Sequence, residues 1–357
     1  MLYETFEKIF ALEAAGKKLV KLNVGEPDWR PPAAAIKAAQ SALGKGMDKY
    51  GSAYGELPLR EKLASIHGCS AKNIVITPGS KWGVYALMKL HLQPSDNAVI
   101  FSPYWSAYSL MCNSLGAQAK LVNLEMKNSW KPDMESFNSA IDGKTRMIVL
   151  NSPCNPTSSA FSQKDEREIE KIAAEKGIPI LADDAYRDLL FAKRKERQFS
   201  PGVLGACTFS KTFGMTGWRI GYSVVPEEIA RKMVSLNQIT FTNVPLFIQA
   251  GALKALEGKE KFAAKVRRLC VQRAGIATKK LREHLEFSEP EAGFYLFPKL
   301  PAGVDTMKFL DRMLDSGFAM VPGGAFGDYS QHFRVSLCRE KEIISKACEV
   351  MVEYSGN

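Results

Sequence analysis

The chain has 357 residues, of which 46% are hydrophobic and 24% are charged, a composition typical of globular proteins. Because single hydrophobic cores usually stop growing below this length, the sequence predicts two domains. The formal net charge of +10 would suit a nucleic-acid partner. However, most basic residues are interleaved with acidic ones, as in KDEREIEKIAAEKG, and this pattern favours solvated helix faces. We therefore expect no nucleic-acid partner.

Membrane, secreted and metal-binding classes are also disfavoured. No uncharged apolar run approaches the length of a membrane span, and the N-terminal MLYETFEKIF lacks the pattern of a signal peptide, so we expect a cytoplasmic protein. The 7 cysteines occur singly and the 4 histidines lie far apart, which predicts neither a disulfide framework nor a metal site. The short basic run AKRKERQ, residues 192–198, is interpreted as an exposed loop.

From about residue 72 the sequence alternates apolar strand-like runs with amphipathic helical ones. In chain order, NIVIT leads into GSKWGVYALMKLHL, NAVIFS into WSAYSLMCNSLG, AKLVNL into DMESFNSAI, RMIVLNS into KDEREIEKIAAEKG, and IPILAD into a loop. Shorter strand-like runs follow around ACTFS and RIGYSVV. This alternation predicts an α/β fold with a mostly parallel, seven-stranded sheet that is covered by helices on both faces.

From about residue 246 the pattern changes to long helical stretches, beginning with LFIQAGALKALEGKEKF. Strand-like GFYLFPKL, FAMVPG and HFRVSLC and two further helical runs follow, which indicates a second, smaller α/β unit. We predict a large domain over residues 31–247 and a small domain over residues 248–357. Residues 1–30 are too few for a domain of their own and are expected to pack with the small one.

Unusual residues follow several of the predicted strands. Gly79, Ser80 and Lys81 open a helix, where free backbone N–H groups could bind a phosphate, although an ordinary helix start would look the same. Trp105 could cover a planar ligand or belong to the core, and Asn155 could donate to a ligand or form a plain Asn-Pro turn. In an open parallel sheet, ligands bind beyond the carboxyl ends of the strands, so these positions are expected to converge.

The strongest signals are LADDAYRDL and TFSKTFGMTGWRIGY. Asp183 and Asp184 end a strand that should be buried, which is costly unless they meet a positive partner; a helix cap explains only one of them. Lys211 lies among small residues, where burial would lower its pKa and make it a nucleophile toward a carbonyl. Pyridoxal phosphate is such a carbonyl compound, and it also needs a carboxylate at its ring nitrogen and a phosphate site.

With these motifs in place, the chain resembles the class I (fold type I) pyridoxal-phosphate-dependent aminotransferases of the aspartate aminotransferase type. The resemblance runs nearly end to end. It includes LNVGEPDW, KYGSAYGELPLREKLA, TPGSKWG, SPYWSAY, NSPCNPTSS, LADDAYRDLLF, TFSKTFGMTGWRIGY, GFYLF, VPGGAFG and FRVSLC. It implies a fold type I architecture and a ping-pong exchange of an amino group between an α-amino acid and a 2-oxo acid.

The resemblance implies a role for each matching position. Lys211 would be the Schiff-base lysine and would carry a proton to and from the substrate α-carbon. Asp183 would pair with the ring nitrogen of the cofactor, and Tyr186 would contact its phenolate oxygen. The other cofactor-binding positions would be Gly79, Ser80, Lys81, Trp105, Asn155, Thr208, Ser210, Arg219 and, from a neighbouring subunit, Tyr50. A homodimer with shared active sites is therefore expected.

The resemblance also implies a substrate site and reveals departures from the family pattern. Arg334 would bind the substrate carboxylate, because a guanidinium matches a carboxylate in two-point geometry, with Gly25 and Asn155 beside it. Ser158 replaces the glycine of the family's NPTG motif, and Asp184 replaces its usual glutamate. Only a short segment comes before NVGEPD, so the question of which residues cover the substrate pocket stays open.

Two other functions remain open at this point. A carbon–sulfur β-lyase would share the same cofactor site, and pyruvate release without a 2-oxo acid would identify it. A ligand-sensing domain of a transcription regulator would need a DNA-binding domain, for which we expect no room before NVGEPD. Aspartate-type transfer is the default expectation for the substrate, with Lys89 as a candidate for its second carboxylate and an exposed helix lysine as the simpler interpretation.

Overall fold

The computed structural model describes residues 2–192, 194 and 196–356. The helices in this part of the chain are α1 (Leu2–Ala14), α2 (Ala33–Gly44), α3 (Leu57–His67), α4 (Ser80–His91), α5 (Ala107–Ser114), α6 (Met134–Ala140), α7 (Gln163–Glu175), α8 (Glu227–Thr240), α9 (Leu246–Glu257), α10 (Lys259–Leu281), α11 (Thr306–Asp315) and α12 (Lys341–Ser355). The strands are β1 (Val20–Lys21), β2 (Ile74–Thr77), β3 (Asn97–Ser102), β4 (Gln118–Asn123), β5 (Thr145–Leu150), β6 (Ile180–Asp183), β7 (Val203–Thr208), β8 (Gly221–Val224), β9 (Tyr295–Leu296), β10 (Phe318–Ala319), β11 (Val321–Pro322) and β12 (Phe333–Ser336).

The largest element of the fold is a seven-stranded sheet with the strand order β2-β8-β7-β6-β5-β3-β4. Strand β8 runs antiparallel to both of its neighbours, whereas the other adjacent pairs are parallel. The connections from β3 to β4, from β4 to β5 and from β5 to β6 carry α5, α6 and α7, as the alternating sequence pattern requires, whereas the described residues between β6 and β7 form no α-helix. The prediction of an α/β fold with a mostly parallel sheet is confirmed.

Both faces of this sheet are buried, since neighbouring side chains of a strand point to opposite faces. In β5, Val149 packs into a core that includes α4, α5 and α8. Ile148 and Leu150 pack on the other face, against α6 and α7. Strands that are covered on both faces need apolar residues at every position, which explains the continuous apolar runs of the sequence.

Helix α7 shows how local sequence sets one of these crossovers. The Ser162 hydroxyl accepts a hydrogen bond from the Asp165 N–H, and the Asp165 carboxylate accepts one from the Ser162 N–H, so the two residues form a capping box. Ile169 and Ala173 are buried on the face toward the sheet. Glu166 is buried on the same helix, which its position in a highly charged run did not predict.

A second unit is built around α10, α11 and α12 and a three-stranded sheet with the order β11-β12-β9. Near the N-terminus, β1 pairs in parallel with β10, and Leu22 is part of the same hydrophobic core. Residues from both ends of the chain thus share one core. The domain boundaries at residues 30 and 247 stay predictions.

In the part of the chain that the structure describes, no helix is long and apolar enough to cross a membrane. No cluster of histidine, cysteine or carboxylate side chains among these residues could hold a metal ion.

Candidate active site

A cavity of about 400 Å³ lies at the carboxyl edge of the large sheet, between that sheet and the second unit. It is lined by residues that follow the parallel strands β2, β3, β5, β6 and β7 and by residues of the segments around β9 and β12. The predicted site residues that line it are Gly25, Gly79, Ser80, Lys81, Trp105, Asn155, Asp183, Tyr186, Thr208, Ser210, Lys211, Arg219 and Arg334. Tyr50 does not line this cavity, and its side chain is 86% exposed.

Lys211 lies in the turn that follows β7. Its Nζ donates a hydrogen bond to the backbone carbonyl of Gly25 at 2.8 Å. Burial lowers the pKa of Lys211 to about 8, so a substantial fraction of the amine is neutral near physiological pH. The side chain of Lys211 therefore has the character of a nucleophile and of a base.

Gly25 approaches the cavity too closely for any side chain. A Cβ at this position would lie 1.6 Å from the Tyr295 hydroxyl, so only glycine fits. This close approach brings the Gly25 carbonyl within reach of Lys211.

Asp183 is the last residue of β6 and is 4% exposed. Its carboxylate accepts hydrogen bonds from the Tyr108 hydroxyl at 2.7 Å and from the Ala185 N–H at 3.2 Å. Burial raises the pKa of Asp183 to about 6, and the bond from Tyr108 limits this rise. A buried carboxylate of this kind is suited to hold a proton on a basic ring nitrogen.

The start of α4 lies beside Arg219 and has free backbone donors. Gly79 precedes the helix with φ of +85°, a left-handed conformation that glycine adopts readily, and no side chain caps the helix. The first N–H groups of α4 are therefore free for an anion. The Arg219 guanidinium donates to the Thr216 carbonyl at 2.7 Å, and a Cβ on Gly79 would lie 3.0 Å from it.

Thr208 and Ser210 add two side-chain hydroxyls to the cavity wall. Thr208 donates to the Ser210 hydroxyl at 3.0 Å, and both residues line the cavity.

Lys81 contributes a side chain to the cavity as well as the backbone N–H group expected from the sequence. Its Nζ lies 5.0 Å from the centre of the Trp105 ring, a cation–π distance. Loss of solvation lowers the pKa of Lys81, and repulsion from Arg219 adds to that effect. Lys89, the sequence candidate for a second carboxylate, is exposed on α4 and does not line the cavity.

Arg334 is a buried cation that forms no ion pair with a carboxylate of the described chain. Its side chain is held by hydrogen bonds to the Asn155 side-chain oxygen at 2.7 Å and the Asn23 backbone carbonyl at 2.6 Å. The rings of Tyr295 and Phe326 flank the guanidinium at 4.5 and 4.8 Å. A buried guanidinium without a counter-ion is costly, so this arrangement is suited to an anionic ligand.

Tyr186 and Tyr295 form a buried pair beside Arg334. Their hydroxyls lie 3.1 Å apart, and their rings meet edge to face. Burial raises the pKa of the Tyr186 hydroxyl well above its ordinary value, so Tyr186 stays protonated and can donate a hydrogen bond.

The interpretation of the run 192–198 as an exposed loop is wrong for Arg197, which is 6% exposed. The Arg197 guanidinium lies 3.0 Å from the Asp184 carboxylate and 3.3 Å from that of Glu166. Asp184 thereby finds the positive partner that a buried strand end requires. Charge composition could not show this, because the pairing joins residues from three separate elements. Lys193 and Lys195 lie outside the described residues.

Sequence reasoning missed Tyr108, Tyr295, Asn151 and Asn23, which all line the cavity. Tyr108 follows Trp105 by three residues, within the predicted helical run WSAYSLMCNSLG; in the structure α5 begins only at Ala107, and the two rings meet edge to face at 5.4 Å. Asn151 donates from its side chain to the Asp183 carbonyl at 3.0 Å, which holds the end of β6 in place. Asn23 and Tyr295 lie in LNVGEPDW and GFYLF, two of the segments that carry the family resemblance, and these segments are the signal that could have found them.

Comparison with known proteins connects this cavity to one family. A family model described as aminotransferase class I and II matches residues 17–351. An aspartate aminotransferase of Thermococcus kodakarensis is 32% identical over 336 residues, which cover 94% of this chain and 88% of the relative. An aspartate/prephenate aminotransferase of Thermus thermophilus is 31% identical, with 98% of this chain and 94% of the relative covered.

Solved structures agree with the sequence relatives. The aspartate aminotransferase of Thermus thermophilus with maleate matches with a TM-score of 0.94 and 29% identity, covering 99% of this chain and 96% of that chain. The aspartate aminotransferase of Thermotoga maritima matches with a TM-score of 0.92 and 28% identity, over 99% and 96% of the two chains. Sequence, fold and cavity chemistry therefore lead to one conclusion: the chain is a pyridoxal-phosphate-dependent transaminase and belongs to the class I and II aminotransferase family.

Proposed function

We propose that this aminotransferase uses an acidic amino acid of the aspartate class as its donor and a 2-oxo acid as its acceptor. The observation that carries the proposal is the pair of cations at two places in one cavity, Arg334 and Lys81. An acidic amino acid has two carboxylates, and each needs a positive partner when it leaves water. The relatives named aspartate aminotransferase support the same substrate class.

The cavity residues fit pyridoxal phosphate. The uncapped start of α4, with Arg219, Thr208 and Ser210, would hold the phosphate, and Asp183 would hold the ring nitrogen. When bound, pyridoxal phosphate supplies an electron-withdrawing ring that stabilises negative charge on the substrate α-carbon and carries the amino group between half-reactions.

Tyr186 and Asn155 would act at the ring oxygen, and Trp105 would cover the ring face. The Tyr186 hydroxyl keeps its proton because burial raises its pKa, and it can therefore donate a hydrogen bond to that oxygen. The Asn155 side-chain oxygen already accepts a bond from Arg334, which leaves its N–H₂ group as a donor.

Lys211 would hold the cofactor covalently between reactions and move protons during them. Its amine is partly neutral near pH 8, so it can take a proton from the substrate α-carbon and return one. The hydrogen bond to the Gly25 carbonyl shows a position in which the released amine can be held.

Arg334 would bind the α-carboxylate of the substrate. Two of its nitrogens are fixed by Asn155 and by the Asn23 carbonyl, and its Nε has no hydrogen-bond partner among the described residues. The flanking rings of Tyr295 and Phe326 exclude water from the guanidinium faces, which strengthens the attraction for a carboxylate. This placement would orient the α-carbon toward Lys211.

Lys81 would bind the second carboxylate of an acidic substrate. Its ammonium lies against Trp105 at the cavity wall, whereas the phosphate site is already served by Arg219 and the helix start. An aspartate side chain bound there would also reduce the repulsion between Lys81 and Arg219.

We also infer that the protein works as a homodimer with shared active sites, in the cytoplasm. Tyr50, which the family resemblance assigns to the phosphate site of a neighbouring subunit, is 86% exposed and is therefore free to reach one, which supports this inference. The seven free cysteines support a reducing compartment. Sedimentation of the purified protein at several concentrations tests the dimer, and a stable monomer would contradict it.

The test of function compares donors spectroscopically. Purified protein is mixed with pyridoxal phosphate and then with single amino acids, and absorbance reports loss and recovery of the cofactor band. Aspartate or glutamate should convert the band, and a 2-oxo acid should restore it. Pyruvate that accumulates without any 2-oxo acid acceptor would instead identify a lyase and overturn the proposal.

The substrate class is tested with a matched pair of variants on α4. Lys81→Ala should raise KM for dicarboxylic donors about tenfold or more, while KM for a monocarboxylic donor such as alanine changes little, because one charge pair is lost. Lys89→Ala, on the same helix but outside the cavity, should behave as wild type. Equal effects of Lys81→Ala on both donor types would contradict the assignment.

A further inference from the structure

Ser158 holds a backbone conformation that its residue type disfavours. Its φ is +56°, in the left-handed region, and the residue is 1% exposed. A side chain at such a φ crowds the following carbonyl oxygen, which is why glycine usually occupies these positions. We therefore expect the Ser158 side chain to make an interaction that offsets this cost and that glycine could not make.

The Ser158 hydroxyl makes that interaction with the strand that carries Tyr295. Its oxygen accepts a hydrogen bond from the Tyr295 N–H at 3.1 Å, and the Ser158 carbonyl accepts one from the Glu291 N–H at 2.9 Å. The Glu291 carboxylate in turn accepts from the Ala160 N–H at 2.8 Å. The loop after β5 is thus fastened to residues 291–295 by a side chain on each segment.

Tyr295 connects these hydrogen bonds to the side chains at the substrate end of the cavity. Its hydroxyl lies 3.1 Å from that of Tyr186, and its ring lies 4.5 Å from the Arg334 guanidinium. The same hydroxyl occupies the space where a Cβ of Gly25 would be, next to the carbonyl that Lys211 contacts. A displacement of Tyr295 would therefore change the surroundings of Tyr186, Arg334 and the Gly25 carbonyl.

We propose that Ser158 is a positioning residue, whose hydroxyl fixes Tyr295 and through it orients Arg334 and Tyr186 for substrate binding. This inference rests on the roles proposed above for Arg334 and Tyr186. It assigns a function to the one position of the NPTS motif where this chain departs from the family pattern.

The hydroxyl is tested by two substitutions that differ in backbone strain. Ser158→Gly removes both the hydroxyl and the strained Cβ, and Ser158→Ala removes the hydroxyl alone. Both variants of the holoenzyme should raise KM for the amino-acid donor about threefold to tenfold, the factor of one net hydrogen bond, with a smaller change in kcat. Ser159→Ala is the matched control, since Ser159 is equally buried but bonds to Thr157.

A second readout does not depend on turnover. The pH midpoint of the absorbance band of the bound cofactor should shift in Ser158→Gly, because the Tyr186 hydroxyl changes its partner geometry. Tyr295→Phe should shift the same midpoint, and the double variant should shift it no further than Tyr295→Phe alone.

Three outcomes would overturn the inference. These are wild-type KM and midpoint in both Ser158 variants, an effect confined to Ser158→Ala, which would trace to Cβ strain, and additive midpoint shifts in the double variant. Failure of the proposed substrate class would be recognised separately, because wild-type protein would then show no exchange with acidic donors before any variant is made.

Discussion

The two ends of the cavity are built in different ways. At the cofactor end, Asp183 ends β6, Lys211 follows the neighbouring parallel strand β7, and Gly79 follows β2 of the same sheet. At the substrate end, Arg334 depends on partners at residues 23, 155, 295 and 326, which come from both units of the molecule. The first end is therefore a property of the sheet, whereas the second exists only when the two units are packed together.

This contrast has a functional consequence. A site for a permanently held cofactor benefits from rigid strand ends, because its geometry need not change during the reaction. A site for substrates that enter and leave benefits from residues on two units, whose relative movement can open and close it. Changes at the cofactor end should affect attachment and chemistry, and changes at the substrate end should affect KM and selectivity.

The largest expected effect is at Lys211. Lys211→Ala should abolish covalent attachment of the cofactor and reduce turnover by several orders of magnitude, because no other amine of the described chain is buried beside Asp183. Absorbance and steady-state rates measure the two effects. Retained turnover above about one per cent of wild type would place the reactive amine elsewhere.

A smaller effect, confined to substrate handling, is expected at Arg334. Arg334→Gln should lower kcat/KM about a hundredfold to a thousandfold and leave cofactor attachment unchanged, because it removes one buried charge partner of the substrate. Arg339→Gln, five residues along the chain, serves as the control. Loss of cofactor attachment in Arg334→Gln would show that the two ends are not separable.

A smaller effect at the cofactor end, on the pH dependence of cofactor binding, is expected at Tyr108. Tyr108→Phe removes a hydrogen bond to the ionised Asp183 carboxylate, so the pKa of Asp183 should rise from about 6 by roughly one unit. The ionised form of Asp183 is needed at the ring nitrogen. As the pH is lowered, the variant should therefore lose its affinity for the cofactor at a higher pH than wild type does. Titration of cofactor-free protein with pyridoxal phosphate measures this, with Tyr104→Phe as the control. Unchanged pH dependence would mean that Tyr108 does not support Asp183.

The smallest effect concerns the stability of the fold and is expected at His332. His332 is 8% exposed and stacks on Phe297, and burial lowers its pKa to about 4, with a further contribution from Lys299. Between about pH 6.5 and pH 4 the unfolded chain binds a proton at this residue that the folded chain does not, so stability falls as pH falls through that window. Thermal unfolding of His332→Phe should show a weaker loss over this range than wild type. The same slope in both proteins would contradict the assignment.

Much of the fold could be predicted from the sequence because its signals are local. The alternating strands and helices, the strand-end positions of Asp183 and Lys211, and the glycine before α4 all depend on residues close together in the chain. Tyr108 was accessible to the same reasoning, because it follows Trp105 by only three residues in SPYWSAY. Arg197 was not, since its composition indicated a solvated loop, and only its contacts with Asp184 and Glu166 show a buried cation.

The sequence by itself determined that the sheet is mostly parallel and which polar residues come at the ends of its successive strands. It also determined the residue types that a pyridoxal-phosphate enzyme needs. Tertiary structure alone decided which cation faces the cavity, Lys81 rather than Lys89, and which residues surround Arg334. The physical reason is the range of the interactions. Strand and helix patterns follow from neighbours in sequence, whereas the burial of a charge depends on partners that only packing of the whole chain brings within a few ångströms.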